Sequence, residues 1–137
     1  MEFAREDARR KRILVADDDE GVCALLQAVL GPLCDLTVVH DAETALRILA
    51  DGAVPGYDAI VCDFMLPGIT GLEFIERVRG GEGAGRVPIL IISGHGALGV
   101  GADARAAGAD AFLDKPFTLA QLRGAVALLL ESHLRFA

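Results

Sequence analysis

Short apolar runs alternate along the chain with segments in which apolar residues recur at the three- and four-residue spacing of a helix. The apolar runs predict five strands, at 13–16, 36–39, 59–62, 88–92 and 110–113. Helices are predicted between and after these strands, and helix-start signals support two of them. Asp41 can cap the second helix, and Thr118 forms a capping box with Gln121 before the last one.

Five strands that alternate with five helices predict an α/β fold with a parallel sheet, right-handed crossovers and helices on both faces. The length of 137 residues suits a single domain, and a hydrophobic content of 53% excludes disorder for its body. We expect a charged N-terminal tail at 1–12, a folded domain at 13–131 and a C-terminal tail at 132–137. Two glycines weaken the predicted helix at 98–107, so we expect that helix to fray.

The charge distribution bears on partners and location. A formal net charge of −7 argues against nucleic acid as a direct partner, because phosphate binding needs a basic face. The polar N-terminal tail holds no apolar signal-peptide core, and the purely apolar stretch at 125–130 is too short to span a bilayer. We therefore expect a cytoplasmic protein that does not enter a membrane.

The cysteines are odd in number, widely spaced and in apolar contexts, which predicts buried free thiols at Cys23, Cys34 and Cys62.

Polar side chains stand at the ends of four predicted strands. Three consecutive aspartates at 17–19 follow the first strand, Asp63 follows the third, and Ser93 follows the fourth. Lys115 comes two residues after the last strand. In doubly wound parallel sheets, ligands bind beyond the carboxyl ends of the strands. These residues are therefore expected to form one site.

The residue types at these ends suit phosphoryl transfer to a carboxylate. Asp18 and Asp63 can supply carboxylate ligands to Mg²⁺, and Asp17 can bind the ion directly or through water. A carboxylate can also attack phosphorus and form an aspartyl phosphate, a reaction that mainly needs positioning and charge neutralisation. Positioning and charge neutralisation would come from the metal ion, the Ser93 hydroxyl and the Lys115 ammonium. Eleven of the thirteen basic residues are arginine, and Lys115 is the only lysine outside the N-terminal tail.

Four ordered segments resemble the receiver domain of two-component response regulators, over about residues 13–131: ILVADDDE, YDAIVCDFMLPGITGLEF, VPILIISGHG and GADAFLDKPF. The resemblance implies a flavodoxin-like sheet of five parallel strands in the order 2-1-3-4-5. It implies that Asp63 is the phosphoacceptor of a phosphorelay, supplied by a sensor histidine kinase or a histidine phosphotransfer protein. Asp17 and Asp18 match the acidic pair that binds Mg²⁺ or Mn²⁺, and the backbone carbonyl of Met65 would complete the coordination.

The resemblance also implies how phosphorylation would be transmitted. Ser93 matches the hydroxyl that contacts the phosphoryl group and shifts on activation, and Phe112 matches the aromatic that changes rotamer with it. Lys115 matches the family's phosphate-binding lysine, and its bond to Pro116 is cis in the family. The face formed by the fourth helix, fifth strand and fifth helix would then meet a downstream protein. The chain would be a monomer, or a weak dimer through this face.

These features predict a phosphorylation switch that promotes only its own phosphorylation and dephosphorylation and is otherwise not an enzyme. It would bind a downstream protein or pass its phosphoryl group onward. The chain could also be a receiver module from a hybrid kinase or a larger regulator. A magnesium-dependent phosphatase with Asp63 as nucleophile is the alternative, but Met65 stands where such enzymes usually place a second acid. A flavin-binding module is disfavoured because three acids would repel the cofactor phosphate.

Overall fold

The structure, a computed structural model, describes residues 10–52, 56–81, 86–94 and 100–136. Within these residues, five strands are formed: β1 Lys11–Ala16, β2 Cys34–Val39, β3 Ala59–Asp63, β4 Ile89–Ser93 and β5 Ala111–Asp114. In the same part of the chain, five helices alternate with them: α1 Glu20–Leu30, α2 Ala42–Ala50, α3 Gly71–Gly80, α4 Val100–Ala107 and α5 Leu119–Phe136. The alternation predicted from the apolar pattern is confirmed.

The five described strands form one sheet in the order β2-β1-β3-β4-β5, and every neighbouring pair is parallel. The expected fold class and strand order are therefore confirmed. β1 begins at Lys11, two residues before the predicted strand, because Lys11 and Arg12 continue the ladder with β2 through their backbone. α5 continues to Phe136, so residues that we assigned to a C-terminal tail extend the last helix.

Two apolar layers cover the sheet, one on each face. Alternate residues of a strand point to opposite faces, so Ile13 and Val15 pack with the cluster that α1 and α5 cover. Leu14 and Ala16 pack with the cluster that α2, α3 and α4 cover. Burial on both faces explains why the strands read as continuous apolar runs. All three cysteines are buried free thiols, as predicted.

Polar caps begin the helices just beyond the carboxyl edge of the sheet. Asp19 accepts hydrogen bonds from two backbone amides in the first turn of α1, and Asp41 caps α2 in the same way through the Thr44 amide. Thr118 and Gln121 exchange the reciprocal bonds of the predicted capping box. The Asp19 side chain therefore caps α1, and this structural role differs from the roles predicted for Asp17 and Asp18.

Two further predictions concern the helix at 98–107 and the absence of a membrane-spanning segment. The first part of the predicted helix at 98–107 lies outside the described residues, and α4 is described from Val100 onward. Among the described helices, none has the length and apolarity that crossing a bilayer requires.

Candidate functional site

Three carboxylates meet at the carboxyl edge of the sheet. Asp17 and Asp18 follow β1, and Asp63 is the last residue of β3, the strand that pairs directly with β1. One oxygen from each side chain lies within 4.8 Å of the others. Asp17 is 1% exposed and Asp63 is 7% exposed, whereas Asp18 faces solvent. Like charges at this separation, two of them largely removed from water, need a compensating cation or a proton.

Asp17 carries the least compensated charge of this cluster. Its Oδ1 accepts a hydrogen bond of 2.8 Å from the Asp19 amide, but its buried Oδ2 has no hydrogen-bond partner among the described residues. Burial, together with the nearby Asp63 charge, raises the pKa of Asp17 to about 6, although the hydrogen bond from the Asp19 amide lowers it. Lys115 acts in the opposite direction. Since an unsatisfied buried anion is costly, the cluster suits a hard divalent cation.

The Asp63 carboxylate is held from two sides. Its Oδ1 accepts a hydrogen bond of 3.1 Å from the Met65 amide, and its Oδ2 lies 3.6 Å from the Lys115 ammonium. The Lys115 amide donates to the Ser93 carbonyl at 2.7 Å, and the Lys115-Pro116 peptide bond is cis. Lys115 reaches Asp63 from beyond β5, so the ammonium crosses the end of the intervening strand β4.

Ser93 and Phe112 lie beside this centre on β4 and β5. Ser93 is buried at the end of β4, and its hydroxyl donates to the Gly94 carbonyl over a long 3.4 Å. Such a distance indicates a weak bond that the hydroxyl can exchange for a better acceptor. Phe112 pairs with Ile91 in the sheet and is half-buried against the α2–α3–α4 layer. The switch roles of Ser93 and Phe112 stay predictions.

The loop between β3 and α3 is closed by backbone contacts. Met65 and Thr70 form an isolated antiparallel bridge, and the Gly71 amide donates to the Phe64 carbonyl at 2.7 Å. A side chain at Gly71 would bring its Cβ to 2.9 Å from the Phe64 Cα. Gly68 turns the loop at a φ of 94°, a left-handed conformation that favours glycine. The Met65 side chain is exposed, and its backbone amide donates a hydrogen bond to the Asp63 carboxylate. That the Met65 carbonyl binds the metal ion stays a prediction.

Comparison with known proteins agrees with this geometry. Residues 13–127 match the family model described as the response regulator receiver domain. The chain belongs to this receiver family. Receiver domains are signalling domains, and the strand-end residues predicted above all lie within the matched region.

Individual proteins are also similar to this chain in sequence and in structure. Response regulator MprA of Mycobacterium tuberculosis is 34% identical over 122 residues, which are 88% of this receiver and 50% of that protein. The receiver domain of Francisella response regulator 1452 superposes with a TM-score of 0.77 at 27% identity, covering 89% of this chain and 98% of that one. The receiver domain of sensor histidine kinase PA1611 from Pseudomonas aeruginosa has the same TM-score and identity, covering 90% and 99%. Its structure holds a magnesium ion coordinated in the active-site cleft.

The receiver spans about half the length of MprA and of two other curated regulators, and 18% of the sensory/regulatory protein RpfC of Xanthomonas campestris. Two residues that we did not assign to the site from the sequence contact it in the structure. Cys23, on α1, and His40, directly after β2, both bond to the backbone carbonyl of Asp17. His40 follows a strand end, so the reasoning that found Asp63 could have found it. Cys23 gave no such signal.

Proposed function

We propose that this receiver accepts a phosphoryl group on Asp63 and that Mg²⁺ assists the transfer. Asp17, Asp18, Asp63 and the Met65 backbone carbonyl would hold the ion, and Mn²⁺ could replace it. The observation that carries the proposal is the buried, unsatisfied Asp17 Oδ2 within a cluster of three carboxylates, with the Lys115 ammonium 3.6 Å from Asp63. The magnesium ion in the PA1611 receiver supports the choice of metal.

The transfer step follows from the groups present. A carboxylate oxygen of Asp63 attacks phosphorus, and the bond from phosphorus to the donor breaks. With a phosphohistidine donor the imidazole nitrogen leaves with the bonding electron pair and takes up a proton, whereas with acetyl phosphate the leaving group is acetate. Mg²⁺, when bound, neutralises charge on the phosphoryl oxygens. Lys115 pairs with one phosphoryl oxygen, and Ser93 exchanges its long bond to Gly94 for a bond to another.

The site favours a switch over a turnover enzyme. Release of the phosphoryl group requires water to attack the aspartyl phosphate, which regenerates Asp63 and inorganic phosphate. Met65 lies two residues after Asp63, and its thioether cannot transfer a proton to a leaving group. We therefore propose that the receiver promotes its own phosphorylation and dephosphorylation and has little activity on other phosphate esters.

Partners and output are proposed from the family. A sensor histidine kinase or a histidine phosphotransfer protein would supply the phosphoryl group in the cytoplasm. Movement of Ser93 and Phe112 would change the α4–β5–α5 face, which would bind a downstream protein or form a weak dimer. We propose no direct contact with nucleic acid or membrane. Because the receiver spans half of MprA, a place within a larger regulator or a hybrid kinase is equally consistent with the comparisons.

Intact-mass measurement after incubation with acetyl phosphate and Mg²⁺ tests the proposal. The wild-type chain should gain the mass of one phosphoryl group, and the Asp63→Asn variant should gain none. Asp103→Asn changes an exposed aspartate on α4 and serves as the matched control, which should be phosphorylated like the wild type. A phosphoryl group on Asp63→Asn, or none on the wild type, would contradict the proposal.

A further inference from the structure

The peptide groups on both sides of Asp17 are fixed by hydrogen bonds from different parts of the fold. The Asp17 amide donates to the Val39 carbonyl of β2 at 3.0 Å. The Asp17 carbonyl accepts from the Cys23 thiol at 3.2 Å and lies 3.1 Å from His40 Nδ1. Cys23 approaches from α1 and His40 from the β2–α2 loop, so two separate segments converge on one oxygen atom.

The donors in this arrangement can be assigned from the acceptor. A carbonyl oxygen only accepts hydrogen bonds, so His40 Nδ1 carries a proton and the Cys23 sulfur is a thiol. Burial raises the pKa of Cys23, and the charge of Asp17 raises it further, which keeps the sulfur protonated. Neither residue needs to change its protonation state to hold the carbonyl.

A fixed peptide at this position restricts the direction of the Asp17 side chain. Its Oδ1 is already bonded to the Asp19 amide at 2.8 Å, and the carboxylate is 1% exposed. With the backbone anchored on both sides, the Asp17 carboxylate is held in the acidic cluster without further ordering. A ligand that is ordered before binding loses less entropy when the metal arrives, and residues behind a metal ligand commonly affect affinity for this reason.

We propose that Cys23 and His40 are positioning residues for Asp17, and that they raise the affinity of the site for Mg²⁺ through the Asp17 backbone carbonyl. Cys23 and His40 are not among the residues that could hold the ion together, which are Asp17, Asp18 and Asp63. This inference rests on the proposed function, because it assumes that Asp17 is a magnesium ligand.

Paired substitutions in the full chain test the proposal. Cys23→Ala and His40→Ala remove the donors, whereas Cys23→Ser and His40→Asn retain a donor of similar reach. Each alanine variant should weaken Mg²⁺ binding in calorimetry by about five- to tenfold, and the serine and asparagine variants should recover most of the loss. Cys34→Ala removes a buried thiol near the opposite end of β2 and should bind Mg²⁺ like the wild type.

Amide hydrogen exchange in the metal-free chain provides a readout that does not need the metal. The Asp19 amide bonds to Asp17 Oδ1, so its exchange should accelerate in the alanine variants and stay slow in Cys23→Ser and His40→Asn. The free energy of unfolding, measured alongside, distinguishes a local change at Asp17 from a general loss of stability.

Two results would overturn the inference. The first is unchanged Mg²⁺ affinity and unchanged Asp19 exchange in both alanine variants. The second is weaker binding that follows overall destabilisation and is not rescued by the donor-retaining variants. A wild-type chain that binds no Mg²⁺ would refute the proposed function instead, and the Asp19 exchange rates would still decide whether Cys23 and His40 position Asp17.

Discussion

Asp17 is a buried carboxylate with one oxygen that has no hydrogen-bond partner among the described residues. Its pKa of about 6, against an ordinary value of 3.8, means that the folded chain holds this proton more tightly than the unfolded chain. Between these two values the unfolded state binds fewer protons, so the free energy of unfolding falls as pH rises. The metal-free receiver is therefore destabilised at neutral pH by a residue that we propose as a magnesium ligand.

Asp17→Asn should stabilise the metal-free receiver. The neutral amide removes the repulsion with Asp63 and can donate to it, so the free energy of unfolding at about pH 7 should rise by about 1–2 kcal/mol. The gain should be small near pH 4 and should vanish below about pH 3, where Asp17 is protonated in both states. Urea denaturation in EDTA at these pH values measures the difference.

Asp18→Asn serves as the control for this prediction. Asp18 is the exposed neighbour of Asp17 in the same cluster, so its substitution should change metal-free stability by less than about 0.5 kcal/mol. Asp17→Asn that destabilises the metal-free chain near pH 7, or stabilises it equally near pH 4, would contradict the electrostatic description of the cluster.

Much of the site could be predicted from residue type and position, and some of it could not. Asp63 and Ser93 follow apolar strands, which is a signal that the sequence displays directly. Cys23 contacts a backbone carbonyl, which every residue offers, so no residue type marks it in advance, whereas His40 follows a strand end and could have been predicted. The sequence also did not reveal that Asp17 is buried while Asp18 is exposed.

Arg79 connects three elements at the end of the sheet opposite the site. From α3, its guanidinium donates to the Val87 carbonyl at 2.6 Å and to the Gly108 carbonyl at 2.7 and 2.9 Å. It also pairs with Asp110 at 2.6 Å, and Asp110 in turn accepts from the Ile89 amide. The link fixes the start of β4 and the turn between α4 and β5, and thereby the base of the α4–β5–α5 face.

Arg79→Ala should lower the free energy of unfolding by about 2–3 kcal/mol, because partly buried carbonyls and a carboxylate lose a charged donor. Arg79→Lys should recover little, since one ammonium cannot reproduce the fork of guanidinium donors. Urea denaturation measures both. Arg77→Ala is the control on the same helix, because Arg77 makes an exposed pair with Glu73 worth about 0.5 kcal/mol or less. Equal losses for the two alanine variants would contradict the assignment.

Two glycines of α3 should respond in opposite ways to alanine. Gly71→Ala would force its Cβ against the Phe64 backbone next to Asp63, so a loss of about 1–3 kcal/mol is expected. Gly80 has open space around its Cα, and alanine there should stabilise the helix by up to about 1 kcal/mol. Thermal denaturation of the two variants measures this contrast. A neutral Gly71→Ala would show that the β3–α3 loop is less constrained than its contacts indicate.

Element boundaries were harder to predict than element types. Backbone pairing carried β1 to Lys11 and β2 to Cys34 regardless of side-chain polarity, while the apolar pattern marked these strands only from Ile13 and Leu36 onward. Arg79 could not have been singled out among eleven arginines, because its partners are up to 31 residues away in the chain. The caps at Asp41 and Thr118 were predictable, since they act within one helical turn.

At the scale of the whole molecule, the parallel sheet brings together acids that are 46 positions apart in the chain and a lysine further on. The unfolded chain cannot present Asp17 and Asp63 at this separation, so a cation that binds the cluster stabilises the folded state. The strand order that creates the site is the one implied by the resemblance to receivers, and it agrees with right-handed crossovers and two covered faces.

Mg²⁺ should therefore stabilise the whole receiver by mass action. At a concentration about one hundred times its dissociation constant, the ion should add about 2.7 kcal/mol to the free energy of unfolding. Asp18→Asn should lose most of this gain while keeping its metal-free stability. Denaturation at matched ionic strength measures the effect, and an equal gain for wild type and Asp18→Asn would point to non-specific screening.

The residue that carries the phosphoryl group can be located directly on the chain. After reaction with acetyl phosphate and Mg²⁺, borohydride reduces an aspartyl phosphate to homoserine, which peptide mass spectrometry can assign to a residue. We predict homoserine at position 63 alone, with none formed in EDTA. Homoserine at Asp17 or Asp18, or no labelled aspartate in a chain that binds Mg²⁺, would contradict the account.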